Sequence, residues 1–212
     1  MASIQTITML LTQFEVQAII KSLKEGGVVA FPTETVYGLG ADINNEMAIQ
    51  KIYSLKGRDF QKPLSIFVSS LEMLEEYVCE ITPEAERLVK KYWPGPLTLI
   101  FKANQNVSKT VCAGGDTVGV RMSSHPIVAH ILREFEKPIT ATSANVSGLP
   151  SAQSYEQVLH YFSTKIDYVV ESKWEGATLE STVVDVTGLE CRILREGELT
   201  RQEIMKQDYA RT

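Results

Sequence analysis

The sequence predicts an α/β fold in one domain: an open, twisted, mixed sheet with helices packed on it. Three observations lead there. Short apolar runs have strand length, and several are nearly continuous, as strands covered on both faces are. Segments with helix start signals separate them. No internal repeat and no Gly/Ser/Pro-rich linker divides the 212 residues, a length that suits one domain or a compact pair. Helices and strands do not alternate strictly enough for a barrel or a simple doubly wound sheet.

The expected strands are 27–31, 64–68, 97–101, 117–121, 139–142, 168–171, 182–186 and 192–195. Around 45–56, Ala48, Ile52 and Leu55 share a helical face, and Gly57 can supply the left-handed stop. Ser69-x-x-Glu72, Ser154-x-x-Gln157 and Thr200-x-x-Glu203 read as capping boxes. Pro83 and Pro126 suit first helical positions, where a missing N–H costs nothing. His125 then reads as an N-cap or packing residue, and Trp93 and Trp174 as packing anchors. Residues 31–42 read as a strand followed by a loop, and Gly188 as part of the turn between the last two strands.

Lys plus Arg number 21 and Asp plus Glu 26, a net charge of −5. So acidic a chain is no bulk nucleic-acid coat, and any anionic ligand needs a local basic cluster. One exists: Lys51, Lys56, Arg58 and Lys62 face only Asp59 within their segment. The acids between Leu71 and Glu86 read as a solvated helix face. Cys79, Cys112 and Cys191 are far apart and suit reduced thiols. With no signal-like start and no run long enough to span a bilayer, a cytoplasmic protein without membrane contact is expected. The histidines and cysteines lack metal-ligand spacing, so a metal held by the chain alone is not expected.

Neither a phosphate-loop motif nor a complete dinucleotide fingerprint is present. The candidate anion site is instead Lys56-Gly57-Arg58 with Ser143-Ala144-Asn145. Lys56 and Arg58 can converge on one anion, the guanidinium as a fork and the ammonium as a point charge. Each string alone has a plainer reading: a cation near a helix C-terminus, and turn chemistry before Gly148. Further strings accompany them. FPTETVYGLGAD follows the first strand, and Pro94-Gly95-Pro96-Leu97-Thr98 turns into another. VGVR ends a buried strand on Arg121, a costly choice unless an anion meets it. STVVD and LRxG follow later. The Cys112–Gly115 loop has the composition of a lid.

Taken together, these strings resemble the YrdC-like domain of threonylcarbamoyl-AMP synthases, over residues from about 26 to 197. The resemblance implies a concave, electropositive cavity over a twisted sheet. It also implies a nucleotidyltransferase that condenses L-threonine, bicarbonate or CO2 and ATP to threonylcarbamoyl-AMP and pyrophosphate. The product would feed the t6A37 modification of tRNA through a separate tRNA threonylcarbamoyl transferase complex. Carried over by motif, Lys56, Arg58, Ser143 and Asn145 form a catalytic set around ATP. Lys62, Thr117, Ser151 and Arg195 add ATP contacts, and Thr35, Arg121, Ala141 and Ser181 hold threonine. Mg2+ would bind mainly through the phosphates. Phe67 stands where some relatives place a histidine, and the ending at Thr212 leaves the short form of the family, one domain over 1–212. Two other readings compete: an RNA-binding or ribosome-maturation module using the basic concave face, with weak tRNA contact, and the carbamoylation chemistry of hydrogenase-maturation proteins.

Overall fold

The computed structural model describes residues 11–172, 176–188 and 190–206; Trp174 lies outside them. Strands β1 (Val29–Phe31), β2 (Gly38–Gly40), β3 (Ser65–Phe67), β4 (Leu97–Lys102), β5 (Thr117–Arg121), β6 (Ile139–Ser143), β7 (Tyr168–Val169), β8 (Thr182–Asp185) and β9 (Arg192–Arg195) form one sheet. Its order is β7-β1-β2-β6-β3-β5-β4-β8-β9. Pairings β1–β7, β3–β5 and β4–β8 are parallel and the others antiparallel, so the sheet is mixed, as expected.

Seven α-helices accompany the described strands: α1 (Gln13–Lys24), α2 (Glu46–Lys56), α3 (Leu71–Glu75), α4 (Pro83–Tyr92), α5 (Pro126–Phe135), α6 (Tyr155–Phe162) and α7 (Arg201–Met205). Alternation along the strands sends side chains to two cores. Ala30, Ile66, Val120 and Leu99 pack with Ile49, Ile52, Leu88 and Val158 of α2, α4 and α6. Val29, Phe31, Phe67 and Ile139 pack on the opposite face with Val16, Ile19, Ile131 and Leu132 of α1 and α5.

Each run expected to be a strand contains one. Strand β2 departs from the expected loop. Its glycines carry no apolar signal, yet they let the chain lie flat beneath an aromatic ring. A Cβ on Gly40 would stand 2.6 Å from the Phe31 ring and 3.0 Å from Ile139. Helix α1 is not among the expected elements either, although Thr12 and Glu15 close a full capping box.

Capping elsewhere follows the sequence with one shift. Ser70, not Ser69, caps α3 and accepts the Met73 N–H. Thr200 and Glu203 form the expected box. Ser154 accepts the Gln157 N–H, but Gln157 Oε1 takes the Gln153 N–H, so only half of that box forms. His125 Nδ1 accepts the Ile127 N–H ahead of Pro126, and burial pushes this imidazole down to about 4. It is therefore a neutral cap at ordinary pH. Trp93 Nε1 donates to the Leu97 carbonyl, an anchoring role. The cysteines in the described residues are free.

The tight seat of Gly40 generates a test. Gly40→Val should destabilise the chain by about 1–3 kcal/mol through overpacking against Phe31 and Ile139. Urea unfolding would measure it, and an unchanged midpoint would contradict the packing described.

Candidate active site

Helices α1 and α5 cover only part of one sheet face. Beside them, on the face to which Phe67 points, an open cavity encloses about 720 Å³ of non-protein space including its mouth. Strand register builds its floor. Ser65 of β3 lies opposite both Ala141 of β6 and Gly119 of β5, and Gly38 of β2 lies opposite Ser143. Thr98 of β4 lies opposite Val183 of β8. Around this floor stand Arg58, Arg121, Arg195 and Glu180.

The end of α2 sends two cations in different directions. Gly57 caps the helix in the left-handed region at φ 53°, so the chain turns sharply between Lys56 and Arg58. Lys56 is 2% exposed and lies behind the cavity wall. Its Nζ donates to the Ser143 carbonyl, to the Asn145 carbonyl at 3.0 Å and to Asn145 Oδ1 at 2.9 Å. Burial, and after it the Arg58 charge, push the Lys56 amine down to about 7 against a pull upward from Glu180. Three acceptors for three N–H bonds favour the ammonium and oppose that push. Ser143 Oγ donates to the same Asn145 Oδ1 at 2.7 Å, and Asn145 Nδ2 donates to the Leu149 carbonyl at 2.7 Å. Arg58, half-buried in the wall, donates to the Lys62 and Pro63 carbonyls at 3.2 and 2.8 Å.

Across the cavity, Arg195 is anchored by Nε and Nη2 to the Ser181 carbonyl, at 3.1 and 2.9 Å. Its Nη1 pairs with Glu180 Oε2, while Glu180 Oε1 accepts from Ser151 Oγ at 2.6 Å. Burial would raise the Glu180 carboxyl. The Ser151 hydroxyl, the Arg195 charge, Ser143 and the Lys56 charge together hold it below the ordinary carboxylate range. Ser181 Oγ shares a hydrogen bond with Thr98 Oγ1 at 2.9 Å.

Another corner belongs to Arg121, 6% exposed. The anion that meets it is supplied by the chain itself. Arg121 Nη2 pairs with Glu34 Oε1 at 2.8 Å and reaches Thr35 Oγ1 at 3.1 Å. Its Nε donates to the Gly95 carbonyl at 3.2 Å, and the guanidinium sits 5.6 Å from the Phe67 ring centroid. Glu34 also accepts from Ser123 Oγ and, at 3.2 Å, from the Ser124 N–H. Burial would raise its carboxyl, but Arg121 and Ser123 hold it below the ordinary range.

Of the residues predicted from sequence, Arg58, Ser143, Arg195, Thr35, Arg121, Ala141 and Ser181 line this one cavity. Lys56 and Asn145 brace it from behind, and Ser151 joins it through Glu180. Lys62 is exposed and Thr117 half-buried, and neither is part of the wall. Glu180, Glu34 and Thr98 are additional. Glu180 directly precedes STVVD and Glu34 sits inside the TET string, so both are adjacent to a signal without carrying one. Asp42 and Asp185 serve turns, accepting the Asn44 and Thr187 N–H groups. Among the described residues no cluster of ligand side chains suits a metal ion, and no helix is long and apolar enough to cross a membrane.

Known proteins resemble this chain closely. The family model for Sua5, YciO and YrdC proteins, described as telomere recombination, matches residues 21–197. The chain is 44% identical over 184 residues to the threonylcarbamoyl-AMP synthase of Pyrococcus abyssi, covering 87% of this chain and 54% of that one. It is 40% identical to the threonylcarbamoyl-AMP synthase of Psychromonas ingrahamii, covering 82% of this chain and 94% of that one. It thus spans about half the length of the first relative and nearly all of the second. The crystal structure of P. abyssi Sua5 complexed with L-threonine superposes with a TM-score of 0.87 at 42% identity, over 92% of this chain and 57% of that one.

The buried amine of Lys56 makes a pH-dependent prediction. Between about 7 and the ordinary lysine value the folded chain binds fewer protons at this site than the unfolded chain. Its contribution to stability therefore rises with pH, by at most about 1.4 kcal/mol per unit. Unfolding free energies at pH 7 and 9 should show wild type gaining on Lys56→Met. A parallel pH dependence of the two would contradict the assignment.

Proposed function

This chain belongs to the Sua5, YciO and YrdC family, and from that footing we propose that it is a threonylcarbamoyl-AMP synthase. It would condense L-threonine, bicarbonate or CO2 and ATP into threonylcarbamoyl-AMP with release of pyrophosphate. The product would pass in the cytoplasm to the tRNA threonylcarbamoyl transferase complex for the t6A37 modification. The observation that carries this reading is the gathering of Arg58, Ser143, Arg195, Arg121, Thr35 and Ser181 around one cavity, in a chain with about 40% identity to synthases.

Two ends of the cavity divide the work. At the Arg58, Ser143 and Arg195 end the nucleotide would bind, with Asn145 and Lys56 holding Ser143 in place. Ser151 would join these through the position Glu180 takes. Lys62, on the loop that Arg58 grips, and Thr117, on the strand face of Arg121 by alternation, would meet outer parts of the nucleotide. At the other end Thr35, Arg121, Ser181 and the Ala141 backbone would hold threonine, its carboxylate joining Glu34 as a partner of Arg121. Phe67 supplies an apolar wall under that guanidinium.

The chemistry needs little from the protein beyond placement. The neutral threonine amine adds to CO2 and releases a proton to water, giving a carbamate. A carbamate oxygen then attacks the α-phosphorus of ATP as the bond to pyrophosphate breaks. Neither step calls for a protein nucleophile. Holding two anionic reactants in line, with guanidinium groups offsetting the charge, accounts for the acceleration. The wall holds one carboxylate among the described residues, Glu180, which is already engaged. That donor set fits Mg2+ carried mainly by the triphosphate and water.

Pyrophosphate release should require ATP, threonine and bicarbonate together. Arg58→Ala should lower the rate by about 30- to 1000-fold, corresponding to roughly 2–4 kcal/mol of barrier. Release that continues without threonine would defeat the substrate assignment.

A further inference from the structure

Glu180 is the residue that the proposed reaction leaves without a task. Its carboxylate sits in the wall of the nucleotide end, where a phosphate oxygen would be expected. It accepts hydrogen bonds from Arg195 Nη1 and from the Ser151 hydroxyl. It also acts electrostatically on Lys56 and Arg58. Of the cationic groups assigned to the nucleotide, Arg195 is thus paired with an internal anion, and Lys56 and Arg58 lie within that anion's field.

We propose that Glu180 is a specificity-determining residue, an internal anion that occupies the phosphate position and must swing aside before a nucleotide can bind. The inference rests on the proposed use of ATP. The more negative charge a ligand offers Arg195 and Ser151, the better it competes with this carboxylate, which favours a triphosphate over a single phosphate.

The local geometry suits a side-chain movement on a stationary backbone. The Glu180 carbonyl accepts the Glu198 N–H at 3.0 Å, and the preceding Leu179 N–H is held by Glu198 Oε1 at 3.0 Å. Gly197 packs so closely on the Glu180 carbonyl that a Cβ there would collide with it. The Glu180 side chain, by contrast, is 33% exposed and has water to turn into. Arg195 does not depend on it for position. Its Nε and Nη2 remain tied to the Ser181 carbonyl, and Nη2 also reaches Ser181 Oγ at 3.2 Å. Departure of Glu180 therefore frees one N–H, on Nη1, together with the Ser151 hydroxyl. Both then face the incoming phosphate.

Calorimetric titration of wild type and Glu180→Gln with a non-hydrolysable ATP analogue, and with inorganic phosphate, tests this. Glu180→Gln should bind the analogue about tenfold tighter, the size of one charge-assisted hydrogen bond that no longer has to be broken. Inorganic phosphate should gain more than the analogue, so that the preference for the triphosphate shrinks. Unchanged or weaker binding of the analogue by a folded Glu180→Gln chain would overturn the inference and leave the synthase assignment standing. Binding by neither chain would overturn both. Should the variant fail to fold, a crystal structure of wild type with the analogue decides. Broken contacts from Glu180 to Arg195 and Ser151 support the displacement, and retained contacts refute it.

Discussion

One lysine ties the site together. Lys56 ends helix α2, and its amino group is buried against three oxygens of residues 143 and 145. Its main-chain carbonyl accepts the Ser147 N–H at 2.7 Å. The same residue thus grips the loop after β6 by both side chain and backbone. A buried charge without partners would be prohibitive, so the loop's carbonyls must turn inward to satisfy it. That leaves the Ser143 hydroxyl beside the cavity and Asn145 as the joint between lysine and serine. The left-handed turn at Gly57 then sends Arg58 out to the wall.

The guanidinium groups show the same economy. Each is anchored by its own chain: Arg58 by carbonyls of its following loop, Arg195 by the Ser181 carbonyl, Arg121 by Gly95 and Glu34. Fixed donors lose little freedom when a ligand arrives, which is where preorganised electrostatics draws its strength. It also explains how a chain of net charge −5 can present a locally cationic cavity. The field is local, and the acids near it are either paired with arginine or face elsewhere.

Much of this organisation is legible in the amino-acid sequence. Apolar runs give away the strands because burial on a sheet demands them, and Thr200, Pro83 and Pro126 mark real helix starts. Strand β2 is hidden because its glycines serve close approach, a tertiary need with no periodic trace. The α3 cap falls one residue late because Ser69 and Ser70 offer equivalent hydroxyl acceptors in sequence, and Ser70 is the one that meets the Met73 N–H. Arg58, Ser143 and Arg195 emerge only through the company of other strings, since each alone has a plainer role. Glu34 and Glu180 do not emerge at all. Their importance lies in the arginines they meet, which belong to other strings of the sequence.

The strand pattern itself distinguishes the two faces of the sheet. In β5, Val118 and Val120 enter the larger core, while Gly119 and Arg121 turn the other way. In β3, Ile66 enters that core, while Ser65 and Phe67 line the cavity. Around β8, Thr182 and Val184 are buried, while Ser181 and Val183 line the cavity. Near-continuous apolar strands would imply helices on both faces. The small and polar residues in these alternate positions instead mark the stretch that α1 and α5 leave bare. A sheet face in water without helical cover, yet built of buried threonine, serine and arginine already hydrogen-bonded to one another, gains nothing as packing. Its organisation makes sense as a surface prepared for a polar ligand, and the sequence writes that preparation at every second residue.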